Sequence, residues 1–216
     1  MKKWLSYLFP FSIKKLSSKH HGQLEINLVN GKKVLDTSNS NYSYGSLQQI
    51  LKKGIQSIRF EPNTNDILVL GMGVGSILQT LRQDFHSKAI VDLVEFDPQI
   101  IELAIQDFNL EKYQPYVLFE MDAFHYLQNC NKYYQLIVVD LFIGNKIPEK
   151  FISPAFVQIL ENHLQQGGKI IFNTMAQTLP KPHLEDFIQE FENLHLQVTV
   201  LWGVAYTNNL LLIEKA

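Results

Sequence analysis

Three glycines, Gly71-Met-Gly-Val-Gly75, precede a glutamate, Glu95, that stands twenty residues beyond the last of them. Glycine lets a backbone bend sharply and approach a ligand where a Cβ would clash. A carboxylate at that spacing can accept hydrogen bonds from the two hydroxyls of a ribose. The chemistry these residue types allow is the holding of a nucleoside, with Gly71, Gly73 and Gly75 as the turn and Glu95 as the acid. A tight turn between a strand and a helix would need the glycines but not the spaced acid.

Such a site needs a strand to deliver the glycines and a helix to follow them. Ile67–Leu70 reads as a buried strand, and a helix is expected over Ser76–Phe85. From Asp66 onward, strands and helices alternate. Further strands are expected at Ile90–Val94, Tyr116–Phe119, Leu136–Val139 and Lys169–Asn173, with helices over Pro98–Phe108, Ala123–Asn129 and Ser153–Gln165. Near-continuous apolar strands such as Leu136-Ile-Val-Val139 indicate burial on both faces, hence a parallel sheet covered on each side. Right-handed crossovers make it doubly wound. The glycine pair Gly167-Gly168 reads as a helix stop before the fifth strand. After a helix over Leu184–Leu194, two strands are joined by a connection too short for a parallel crossover, so the sheet must end antiparallel. The expected fold is α/β: a doubly wound, seven-stranded Rossmann-like sheet with an antiparallel C-terminal strand. A small β-hairpin precedes it, turning at Asn30-Gly31, and then a helix over Ser46–Phe60. The expected division is an N-terminal segment and hairpin over 1–45 and the α/β domain over 46–216.

Composition sets limits. The chain has 216 residues, 46% of them apolar, enough for one substantial core, and its net charge of −2 carries no footprint for nucleic acid. The single cysteine, Cys130, excludes an internal disulfide and fits a reducing, cytoplasmic setting. No metal-ligand spacing is present, so no metal is expected. His20-His21 reads as a solvated pair. The first residues, Met1-Lys-Lys-Trp-Leu-Ser-Tyr-Leu-Phe-Pro10, are too short and too interrupted for a signal peptide or a membrane span. They read as an amphipathic segment whose Trp4, Leu5, Leu8 and Phe9 pack on the domain or a partner. The second reading is a surface-binding helix favoured by Lys2, Lys3, Lys14 and Lys15.

The pattern from Asp66 to Glu214 resembles the class I S-adenosylmethionine-dependent methyltransferase fold. Gly71-Met-Gly-Val-Gly75 follows the first strand, Glu95 the second, Asp122-Ala123 the third and Asp140 the fourth. The resemblance implies that Glu95 binds the ribose. It also implies that Asp122 accepts from the adenine amino group and that the Ala123 amide donates to the ring. Asp122 can equally serve as a helix N-cap, and the two roles can coexist. Within the fold, the chain looks most like the spermidine synthase family over roughly residues 24 to 175. The hairpin Asn30-Gly-Lys-Lys-Val-Leu-Asp-Thr37, Tyr42-Ser-Tyr44, Val138-Val-Asp140 and Ile147-Pro148 carry that likeness. It implies a dimer through the N-terminal hairpin.

Departures from the family pattern shape the expected reaction. Val74 stands where the family has an aspartate for the donor's amine, Ile143 replaces the second acid after Asp140, and Gly45-Ser46 replaces a pair that includes a glutamate. Each lost charged hydrogen bond is worth about 1.5–3 kcal/mol. The expectation is therefore that S-adenosylmethionine or its thioether product is the cofactor. Methyl transfer to a small, weakly charged acceptor is the expected reaction. Asp140 is the expected general base or amine-orienting group, with cofactor contact or loop capping as the competing role. Tyr44 either closes the pocket or packs within it. A polyamine aminopropyltransferase with a rearranged pocket is the alternative, and a non-catalytic nucleoside-binding or assembly protein the third reading.

Overall fold

A computed structural model describes residues 6, 7, 9–37 and 44–216, with side chains of the first helix described from residue 48. Strands β1 (Phe11–Ser18), β2 (Gly22–Val29) and β3 (Lys32–Thr37) form an antiparallel sheet in that order. Asn30 and Gly31 both take positive φ, 49° and 75°, as a two-residue hairpin turn demands. The hairpin thus gains a third strand, β1, which holds Lys14 and Lys15 of the expected surface-binding helix; residues 1–5 and 8 of that segment lie outside the described residues. A register shift between Ser12 and Lys14 breaks the two-residue period, which hides the strand from a pattern reading. Lys14 and Lys15 are spent on Asp107 (2.9 Å) and Glu25 (3.3 Å). Trp4, Leu5 and Leu8 lie outside the described residues, and Phe9 is exposed.

Helix α1 (Tyr44–Ser57) leads into the large sheet, whose strands are β4 (Ile67–Leu70), β5 (Val91–Glu95), β6 (Tyr116–Glu120), β7 (Tyr134–Val139), β8 (Leu164–Met175), β9 (Gln197–Val204) and β10 (Asn208–Glu214). Their order is β6-β5-β4-β7-β8-β10-β9. Strands β4 to β8 are mutually parallel, and β10 runs antiparallel to both β8 and β9. This is the doubly wound sheet with an antiparallel ending that the sequence predicts. The strand order reverses between β4 and β7, the place where such sheets open a crevice at their carboxyl ends.

Alternation along β4 divides the core. Ile67 and Val69 face a layer with Ile55 of α1, Leu78 of α2 (Ser76–Gln83) and Ala104 of α3 (Pro98–Gln106). Leu68 and Leu70 face the other layer, with Leu127 of α4 (Ala123–Asn129), Phe156 of α5 (Pro154–Asn162) and Phe187 of α6 (Lys181–Asn193). All four β4 residues are buried, so each face contributes full apolar transfer energy. Gly167-Gly168 differs from expectation: the pair lies inside β8, where the β7 register slips between Tyr134 and Leu136. Among the described residues, no helix is long and apolar enough to cross a membrane.

The small sheet docks on the large domain through Leu24, Ile26 and Leu35, which join the buried core beside Leu51 and Ile55 of α1, and through charge and one hydroxyl. Lys14 and Lys33 both reach Asp107, just beyond α3. Ser18 Oγ donates to Asp97 Oδ2 and accepts from the amides of His20 and His21 at 2.9 and 3.0 Å. Asp97 in turn caps α3 by accepting from Gln99 N at 2.9 Å. Both Ser18 and Asp97 are buried. Ser18→Ala is expected to cost about 1.5–3 kcal/mol in urea unfolding, because Asp97 loses a hydrogen bond to a charged group. A change within 0.5 kcal/mol, about the noise of a surface substitution, would show that the hydroxyl does not hold the sheet down.

Candidate active site

The carboxyl ends of β4, β5 and β7 meet at the glycine turn. The amides of Gly71 and Met72 both donate to Val94 O, at 2.9 and 3.0 Å, while Asp140 N donates to Leu70 O at 2.9 Å. Gly71 has φ of 84°, and a Cβ there would overlap the Asp140 carbonyl oxygen. Gly73, at φ of 55°, has no atom within 4 Å of where a Cβ would stand. Its face is open toward a cavity of about 210 Å³, whose wall includes Gly71, Gly73, Glu95, Asp122, Ala123 and Asp140. Of the binding and catalytic residues expected from the sequence, these six share the cavity. Gly75, between the wall residues Val74 and Ser76, holds φ of 86° and opens α2 against Leu110. Tyr44 begins α1, but its side chain lies outside the described residues.

Glu95 ends β5 with its side chain buried. Gly73 N donates to Oε2 at 3.0 Å; Phe96 N and Asp97 N donate to Oε1 at 2.9 and 3.1 Å. Burial pushes its carboxyl up to about 7, against the downward pull of these three amides. Three fixed donors clamp the carboxylate in one orientation, leaving its remaining lone pairs for donors in the cavity. Asp140 follows β7, and its Oδ1 accepts from Asn173 Nδ2 at 2.8 Å. Burial raises its carboxyl to about 6, again opposed by that hydrogen bond.

Asp122 is the N-cap of α4: Oδ1 accepts from Phe124 N at 3.0 Å and His125 N at 3.2 Å. Its Oδ2 meets Lys150 Nζ at 2.5 Å, and the same ammonium lies 4.8 Å from the Phe151 ring centre. The capping role expected from sequence is therefore present, and a base amino group reaching Oδ2 must displace Lys150. Between Asp140 and Lys150 the loop is apolar toward the cavity, with Leu141, Phe142, Ile143 and Pro148 on the wall.

Pattern reading missed two wall residues. His21 was expected to be solvated, but its side chain is only 5% exposed and its Nε2 lies 3.8 Å from Asp97 Oδ2. It packs on the Phe96 ring, 5.7 Å between centres, and lines the cavity. Burial lowers its pKa, with Asp97 opposing. The Ser18 turn, whose hydroxyl accepts from the His21 amide, is the signal available, while His20 is exposed as expected. Lys150 gave no sequence signal, since an exposed helical-turn lysine looks like any other.

Glu95 sets a pH dependence. The ionised carboxylate is the stronger acceptor for the ribose hydroxyls, since the acid spends one oxygen on its own proton, so a bound nucleoside favours the deprotonated form. Affinity for 5′-methylthioadenosine, measured calorimetrically, should be level above about pH 7 and fall about tenfold per pH unit below it. Glu95→Gln should remove the dependence along with most of the affinity. A wild-type affinity flat from pH 5.5 to 8 would contradict the ribose role.

The spermine/spermidine synthase domain model matches residues 55–209, more than half of the chain. A polyamine aminopropyltransferase of Vibrio vulnificus is 26% identical over 125 residues, covering 56% of this chain and 42% of that protein. The chain spans less than half the length of the curated relatives it matches. Spermidine synthase of Thermotoga maritima superposes with a TM-score of 0.68 at 13% identity, over 95% of this chain and 73% of that one. A spermidine synthase in complex with the transition state analogue AdoDATO gives 0.67 at 14%, over 95% and 72%. At these identities the superpositions speak for the fold.

The relatives overturn the expectation that methyl transfer is the main reaction and aminopropyl transfer the alternative, because the curated ones are polyamine aminopropyltransferases. The physical reason is that both reactions displace a carbon from a sulfonium in line. Val74 and Ile143 line the cavity, and their lack of charge bears on how a donor or acceptor is held, whichever carbon is displaced. A domain model running from the first helix into the last strand decides the kinship: the chain belongs to the spermine/spermidine synthase domain family.

Proposed function

We propose that this chain is an aminopropyltransferase, moving the three-carbon amine of a decarboxylated S-adenosylmethionine-type donor onto a small amine acceptor. The observation that carries the reading is the placement of Asp140 on the same cavity wall as Glu95 and the open face of Gly73. The donor fits the residues present. Glu95 would take the ribose hydroxyls, and Ala123 with Asp122 would face the base once Lys150 moves aside. The solved spermidine synthase holding AdoDATO supports a donor of this class.

In the reaction, the amine nitrogen forms the new bond to the propyl carbon and the carbon–sulfur electron pair returns to sulfur, leaving a neutral thioether. The attacking amine gives up one proton, and Asp140 is placed to orient that amine and receive it. A carboxyl raised to about 6 is a better proton acceptor than an ordinary aspartate, while remaining mostly ionised near neutrality. Phe142, Ile143 and Phe151 make that side of the cavity apolar, with Phe151 buried and Ile143 exposed.

Asp140→Asn is expected to lower turnover of decarboxylated S-adenosylmethionine with 1,4-diaminobutane by about 10²–10⁴-fold, the range for loss of a general base. Donor affinity should stay unchanged in the same variant, which separates chemistry from binding. Turnover equal to wild type in Asp140→Asn would remove the aspartate from the reaction.

A further inference from the structure

Asp140 is the end of a line of buried polar side chains that crosses the antiparallel half of the sheet. Asn173, on β8, is fully buried; Asn208, which opens β10, is 5% exposed. Asn173 Nδ2 lies 2.8 Å from Asp140 Oδ1, Asn208 Nδ2 lies 2.9 Å from Asn173 Oδ1, and Thr207 Oγ1 lies 2.7 Å from Asn208 Oδ1. The polarity of this line follows from chemistry. An ionised carboxylate can only accept, so Asn173 must turn its amide nitrogen to Asp140 and its oxygen to Asn208. Asn208 must then donate to Asn173 and accept from the Thr207 hydroxyl. Every donor points the same way, toward Asp140.

We infer that Asn173 and Asn208 are positioning residues for the reaction, forming with Thr207 a directed hydrogen-bond chain that fixes Asp140 with one oxygen engaged and the other presented to the cavity. The inference rests on the aminopropyl-transfer reading for its catalytic meaning, but not for its geometry. Two buried asparagines in a parallel-to-antiparallel strand junction cost desolvation, which Asp140 and Asn208 offset for Asn173, and Asn173 and Thr207 for Asn208. The chain also explains how the β9–β10 hairpin, remote from the glycine turn in sequence, bears on the site. Thr207 is exposed at the hairpin end, next to Ala205 and Tyr206, which both hold positive φ at 50° and 68°. The other titratable groups on the cavity wall are Glu95 from β5, Asp122 before α4, Lys150 from the turn before α5 and His21 from the β1–β2 turn. None of these has a hydrogen bond to Asp140 among the described residues.

The test is a carbon-13 NMR titration of the Asp140 carboxyl in the full chain, assigned by its loss in Asp140→Asn. In Asn173→Leu its midpoint should rise by about one to two pH units, the size of one lost charge-assisted hydrogen bond. Asn208→Leu should raise it by less, and Thr207→Val, at an exposed position, by least. Thr207→Val keeps the test open if a buried asparagine variant does not fold. The acid limb of the turnover profile should move in the same order, with donor affinity unchanged. A midpoint that stays in place in folded Asn173→Leu, or in both Asn208→Leu and Thr207→Val, would overturn the inference. Because the titration needs no turnover, a wild type that transfers no aminopropyl group would fail the functional reading while the chain is judged by its own midpoint shifts.

Discussion

Two consecutive amides, those of Gly71 and Met72, share one acceptor, the carbonyl of Val94. Everything at the candidate site depends on that crossing. It pulls the chain leaving β4 over the end of β5, and this brings Gly73 N onto the Glu95 carboxylate. The same tight passage lets residue 71 touch the Asp140 main chain, which only a residue without a Cβ can do. Three strand ends are thereby locked at one point, and two buried carboxyls are held on one wall. The sheet behind them is fully buried at β4, so the crossing is anchored in the most solvent-excluded strand of the molecule.

The two carboxyls are handled differently although burial raises both. Glu95 is held by three main-chain amides, which no substitution of side chains can remove, so it is a fixed acceptor. Asp140 is held at Oδ1 by Asn173, and among the described residues no side chain engages its second oxygen. A fixed acceptor suits recognition of a constant group such as a ribose. A carboxyl with one free oxygen and an elevated pKa suits a proton that comes and goes. On the proposed reading, these environments assign binding to Glu95 and chemistry to Asp140 within a single cavity.

Much of this was legible in the residues. Apolar runs such as Ile67–Leu70 and Leu136–Val139 have no other stable home than a doubly covered parallel sheet, and glycines with a spaced acid restrict the turn between them. The antiparallel ending followed from a connection too short to cross over. What stayed hidden has physical causes. Strand β1 lost its alternation to the shift between Ser12 and Lys14, and Gly167-Gly168 looked like a stop because a glycine pair inside a strand marks an irregularity only once its neighbour is known. His21 is buried by a serine turn and an aromatic ring from another element. Asn173 and Asn208 are polar residues in apolar strands, and their purpose emerges only from the partner 33 residues or more away. The reaction is not legible in the same residues, because in-line displacement at a sulfonium is common to both transfers and absent acids alone do not specify which carbon faces the acceptor.

The most direct measurement of the central claim follows the label. Decarboxylated S-adenosylmethionine carrying heavy carbon in its propyl chain would be incubated with the protein and 1,4-diaminobutane, and the products weighed by mass spectrometry. The account predicts labelled aminopropylated amine and unlabelled 5′-methylthioadenosine in equal amounts. Label remaining wholly on the nucleoside, while the acceptor gains a methyl group or nothing, would contradict it.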